Sequence, residues 1–162
     1  MLRYLLFISS LLLTAACHNT LPENLTDIIA LPEYTPAARY ERSDLSKMTW
    51  LAGVWKGEEA GRAVRQSFQF HNNQTLEIIR MEGNGDMMSL LLTWHNGRFY
   101  YGQHRQWVVT WIGEKDIRLD PTAPGLEPMT WTRLHADQWH LVRHTPSGDE
   151  TTIMERTGEM NP

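Results

Sequence analysis

The chain has 162 residues, a net charge of −4 at neutral pH, 41% hydrophobic residues and seven tryptophans. That is enough chain for one domain with a packed core and a tether. The mild acidity argues against a nucleic-acid partner, which would favour a basic face, and no apolar run reaches the roughly 20 residues needed to cross a bilayer as a helix.

Residues 1–16 have the three zones of a secretory signal peptide. Arg3 supplies the positive start, Leu5 to Leu13 form the apolar stretch, and Thr14-Ala15-Ala16 are the small residues a peptidase requires. The only cysteine of the chain, Cys17, follows directly. An unpaired thiol behind an export signal is a liability in an oxidising compartment, so a chemical use for it is expected. The stretch LLLTAACHN resembles the lipobox of bacterial lipoproteins. That resemblance implies cleavage before Cys17, acyl chains such as palmitate on its sulfur and new amino group, and a membrane anchor. At about 0.8 kcal/mol per buried methylene, three chains hold a protein indefinitely. His18 in place of Asp implies, by the same resemblance, the outer membrane over the inner, with the domain in the periplasm of the cell envelope. Loss of the signal removes Arg3 and moves the net charge to −5.

Residues 17–43 read as a lipid-anchored linker carrying Pro22, Pro32 and Pro36 without sustained periodicity. Asn24, Thr26 and Asp27 offer capping oxygens for a turn or two of helix. A flexible spacer and a docking segment built on Ile28, Ile29 and Leu31 both fit this composition.

From residue 44 to 157 the texture changes to short β-branched and aromatic runs cut by turn signals, with 158–162 left as a tail. About ten strands are expected, near 53–59, 63–71, 74–82, 87–95, 98–104, 107–113, 116–120, 128–134, 138–144 and 150–157. Such spacing specifies an all-β, antiparallel barrel or sandwich. The sharpest signal is Asn96-Gly97, a dipeptide suited to the two positive-φ positions of a hairpin turn. That turn sets Trp94 opposite Phe99, Leu92 opposite Tyr101 and Leu90 opposite Gln103. A second turn at His71-Asn72-Asn73-Gln74 gathers Val64, Gln66, Phe68, Phe70, Glu77, Ile79 and Met81 on one face.

Gly53-Val54-Trp55, following a plausible short helix, resembles the G-x-W opening of lipocalin-like (calycin) barrels. The stretches FYYGQHRQWVV and MTWTRLHADQWHL are similar to bacterial domains of that kind. This resemblance favours a single up-and-down barrel over a sandwich. It also implies that Trp55 packs across the closed barrel end under an arginine of the last strand, for which Arg156 is the candidate. GVWKGEEAG is also similar to the opening of nitrobindin-type haem barrels, which ligate haem through a histidine near the C-terminus. No histidine follows His144, so haem is not expected.

Catalytic and metal-binding signatures are missing: no G-x-S-x-G elbow, phosphate-cradling loop, H-E-x-x-H or EF-hand pattern occurs. His140 and His144 stand about 13 Å apart if their segment is a strand, too far to share an ion. Neither cofactor nor catalytic residue is expected. The functional expectation is a barrel holding a small hydrophobic molecule between Phe68, Ile79, Leu90, Leu92, Phe99 and Tyr101, with Gln66, Glu77 and Gln103 as polar contacts. Glu77, unpartnered in such a wall, would hold a proton; the other reading is that a register slip exposes it or an arginine pairs with it. The alternative is a barrel filled by its own side chains, serving as a structural or partner-docking envelope protein.

Overall fold

The structure is a computed structural model describing residues 39–158. The signal segment, Cys17 and the linker up to residue 38 lie outside the described residues. A 3-10 helix, Arg42–Leu51, precedes ten strands. These are β1 (Gly53–Glu59), β2 (Arg62–Asn72), β3 (Thr75–Glu82), β4 (Met87–His95) and β5 (Arg98–Tyr101). Then come β6 (Trp107–Ile112), β7 (Asp116–Pro121), β8 (Met129–His135), β9 (Gln138–Thr145) and β10 (Gly148–Thr157). Each strand pairs antiparallel with its chain neighbours, and β10 returns to β1, with Trp55 opposite Arg156 and Gly57 opposite Met154. The sheet is therefore a closed up-and-down barrel, and the sandwich is excluded.

Turns of such a meander alternate between two ends. The entry end carries the 3-10 helix and the β2–β3, β4–β5, β6–β7 and β8–β9 turns; the far end carries the other five. In a 3-10 helix every third residue eclipses, so Leu45, Met48 and Leu51 fall on one face, and all three are buried against the entry end. Asp44 accepts the Glu41 N–H at 2.8 Å, closing the first turn. The segment is pinned to the β4–β5 hairpin. Tyr40 N–H donates to Gly97 O at 2.8 Å, and the Trp94 indole donates to Tyr40 O at 2.9 Å.

The Asn96-Gly97 turn has φ of 50° and 81°, and the pairs Trp94–Phe99 and Leu92–Tyr101 are as the turn chemistry specifies. The extension to Leu90–Gln103 fails. Strand β5 stops at Tyr101, Gly102 turns with φ 87°, and Gln103–Arg105 is a short exposed 3-10 turn. The second hairpin also departs from expectation. A bulge between Phe70 and Asn72 inserts one residue, so Phe70 pairs Leu76, Phe68 pairs Ile78 and Gln66 pairs Arg80. One residue of slip reverses every side chain of β3. Glu77 and Ile79 consequently lie on the outer face with Gln69 and Ser67, and Met81 goes with them.

Candidate functional site

The barrel axis is where a ligand was expected, and its walls are Phe68, Leu92, Phe99 and Tyr101, all buried, with Gln66 among them and Leu90 partly buried. Of the nine expected lining residues, these six share the interior. Glu77, Ile79 and Gln103 do not, for the reasons of register and turn just given.

Between these walls stand tryptophans from opposite strands. Trp55, Trp131 and Trp139 are at most 2% exposed. Phe68 lies edge-on to both Trp131 and Trp139 with centroids 6.0 and 5.8 Å apart. Trp131 meets Tyr101 at 5.4 Å, and Trp139 meets Trp55 at 6.2 Å. Each such pair contributes about 0.5–1.5 kcal/mol beyond its burial. The column crosses the barrel from the entry end to Tyr101, whose phenol burial pushes its pKa up to about 12. The interior is a core.

At the entry end, Arg156 lies over the Trp55 ring with Cζ 4.2 Å from its centroid, and its Nη1 donates to Ala52 O at 2.8 Å. The indole N–H of Trp55 donates to Leu51 O at 2.7 Å. Gly53 makes this possible: φ is +118°, and a Cβ there would stand 2.6 Å from Arg156 Nη1. Both ends of the G-x-W motif thus serve the guanidinium.

Towards the far end, Glu59 is clasped by Arg80 and Arg143, and Arg143 also reaches Glu150 at 3.1 Å. Burial works against the Glu59 carboxylate, but the two guanidiniums prevail and hold its pKa below the usual range. These inward charges were not anticipated. Alternation from Trp55 through Gly57 places Glu59 inside, a signal present in the sequence, whereas Arg80 faces inward only because of the β2–β3 bulge.

On the outside, Glu77 is fully partnered. It accepts from Ser89 Oγ at 2.7 Å and meets His71 Nε2 at 2.7 Å, and these lower its pKa instead of raising it. Thr130, His144 and Asp149 form a second outer chain, with Thr130 Oγ1 to His144 Nε2 and His144 Nδ1 to Asp149 Oδ1 both 2.9 Å. The order matches a hydroxyl–imidazole–carboxylate relay. Thr130 lies inside the β7–β8–β9 ladder, where strand pairing engages its backbone N–H, so that N–H is not offered to an oxyanion.

Two concavities lie away from the aromatic column. A shallow groove of about 430 Å³ lies on the outer wall between Lys56, Glu58, Arg65, Ile153 and Glu155. A crevice of about 10 Å³ beside Glu59, Arg62, Arg80 and Glu82 has room for a single water. Among the described residues no group of three metal-ligating side chains converges.

The fold and interior thus define a closed ten-stranded barrel with a packed aromatic core. No family model matches the sequence, and no curated protein matches it. Among solved structures, a redesigned β-barrel, b11L5F_LGL, is 18% identical with a TM-score of 0.41, covering 72% of this chain and 96% of its own. A second redesigned barrel, mFAP1 bound to DFHBI, is 16% identical with a TM-score of 0.37, covering 72% of this chain and 100% of its own. EF1p2_mFAP2b bound to DFHBI is 14% identical with a TM-score of 0.36, covering 68% and 97%.

Proposed function

We propose that this protein is a lipid-anchored envelope protein whose barrel is a rigid, filled scaffold acting through its outer surface on a partner. The observation that carries the scaffold reading is the aromatic column. A hydrophobic ligand of ordinary size needs about 300 Å³ or more, and Trp55, Trp131, Trp139, Phe68 and Tyr101 occupy that place. The lipid-anchor part rests on the sequence alone, through LLLTAACHN and its single cysteine. The lipocalin-like resemblance enters as architecture without the cavity that makes such barrels carriers.

Two measurements test the two parts. Native mass spectrometry of protein extracted from its own envelope should give the mass of the acylated chain with no further small molecule. A co-purifying hydrophobic compound, displaced in Leu92→Trp, restores the carrier reading instead. Cys17→Ala should move the protein from the membrane fraction to the soluble fraction; retention in the membrane removes the anchor.

A further inference from the structure

We infer that the entry end of the barrel is the face that rests on an anionic lipid bilayer, with Trp111 and Leu134 as its apolar contacts. The inference builds on the lipid-anchor reading and adds an orientation to it.

Three observations point the same way. The first is where the chain enters. Twenty-one residues separate Cys17 from Arg39, at which the described domain begins, and Tyr40 is tied to the β4–β5 turn of the entry end. The described chain therefore joins the barrel at this end.

The second is the placement of exposed apolar side chains. Trp111 is 55% exposed beside the β6–β7 turn, and Leu134 is 47% exposed beside the β8–β9 turn. Both belong to the entry end, on strands separated only by β7. The Trp111 indole N–H donates to Asp116 Oδ2 at 2.9 Å. Its polar edge is thereby satisfied while the ring stays open to solvent. An amphipathic ring of this kind suits the boundary between headgroups and acyl chains.

The third is charge. The entry-end turns, with two strand residues on either side and the segment 39–54, carry five Lys and Arg against five carboxylates. The far-end turns counted the same way carry seven carboxylates against two arginines. That end also exposes Met87 and Met88, but just after Glu82 and Asp86 in the sequence. An anionic surface repels the second end and not the first, which is balanced. Charge therefore decides which apolar residues meet lipid.

The test uses the acylated chain in vesicles of phosphatidylglycerol and phosphatidylethanolamine. Cys17 is the only cysteine and acylation consumes its thiol, so Trp111→Cys, Leu134→Cys and Met87→Cys each offer one reactive thiol. Maleimide labelling is read on vesicles and on the unacylated Cys17→Ala counterpart of each variant in buffer. All three sites are exposed, so folding is not at stake. The expected result is labelling slowed about fivefold or more at positions 111 and 134 on vesicles, with position 87 unchanged and the protection weaker on neutral phosphatidylcholine. Equal rates at the three sites, or protection at 87 alone, overturn the orientation while leaving the anchor intact. A wild-type chain that reacts at Cys17 and does not float with vesicles overturns both.

Discussion

At the scale of single residues, the sharpest dependency joins Gly53, Trp55 and Arg156. Arg156 stacks on Trp55, donates to Ala52 O, and uses space that only a glycine at 53 leaves open. Its ion pair with Asp137 is exposed and adds little. Arg156→Ala should lower stability by about 1–2 kcal/mol in urea titrations, from lost stacking and a lost hydrogen bond. Gly53→Ala should cost a similar amount. The double variant should fall short of the sum, because both remove the same interaction. Glu59 gives a pH prediction. Its pKa is depressed from the usual 4.5, so its contribution is present above that value and is lost as pH falls through the lower folded value. Glu59→Gln should flatten the acid limb of the stability profile below about pH 4.5 relative to the wild type. An unchanged limb would show that Arg80 and Arg143 do not hold this carboxylate in solution.

At the scale of elements, local chemistry and sheet context divide the work. The β4–β5 hairpin was legible because Asn-Gly has one good solution, two consecutive positive-φ residues, and the register follows from it. Gly97→Val should therefore lose about 1–2 kcal/mol, measured as a shift in the urea midpoint, because a β-branched residue is strained at φ 81°. The β2–β3 hairpin was not legible. TLEIIRME alternates apolar and charged residues on both faces, so its pattern does not choose between them, and the bulge at Phe70–Asn72 chooses. Seam geometry is visible only in three dimensions as well. A Cβ on Gly57 would come within 2.6 Å of both Ile153 O and Met154 Sδ, where β1 meets β10. Gly57→Ala should destabilise the closure.

At the scale of the whole molecule, the packed interior predicts how substitutions along the axis behave. Trp139 touches Trp50, Trp55, Phe68 and Trp131, so Trp139→Ala should cost about 3–5 kcal/mol. Trp139→Phe should cost much less, since it keeps a ring and removes an indole N–H that has no acceptor among the described residues. Leu92→Trp separates the two functional readings by thermodynamics alone. In a ligand cavity the added volume is tolerated, whereas in this core, where Leu92 is fully buried, overpacking should cost about 1–3 kcal/mol. Calorimetric unfolding of these three variants measures the series.

What the sequence determined by itself was whatever depends on neighbours along the chain. Strand count, nearly every turn and the all-β class follow from local alternation and turn residues, whose conformational preferences act over two to five positions. The Asn96-Gly97 register belongs to the same class. Only the tertiary structure decided which way β3 faces, that β5 stops at Tyr101, and that Glu59, Arg80 and Arg143 meet near the far end. Above all it decided that the tryptophans of β1, β8 and β9 meet on one axis. Whether a barrel is a vessel or a core depends on volumes summed across strands far apart in sequence, and no local pattern encodes that sum.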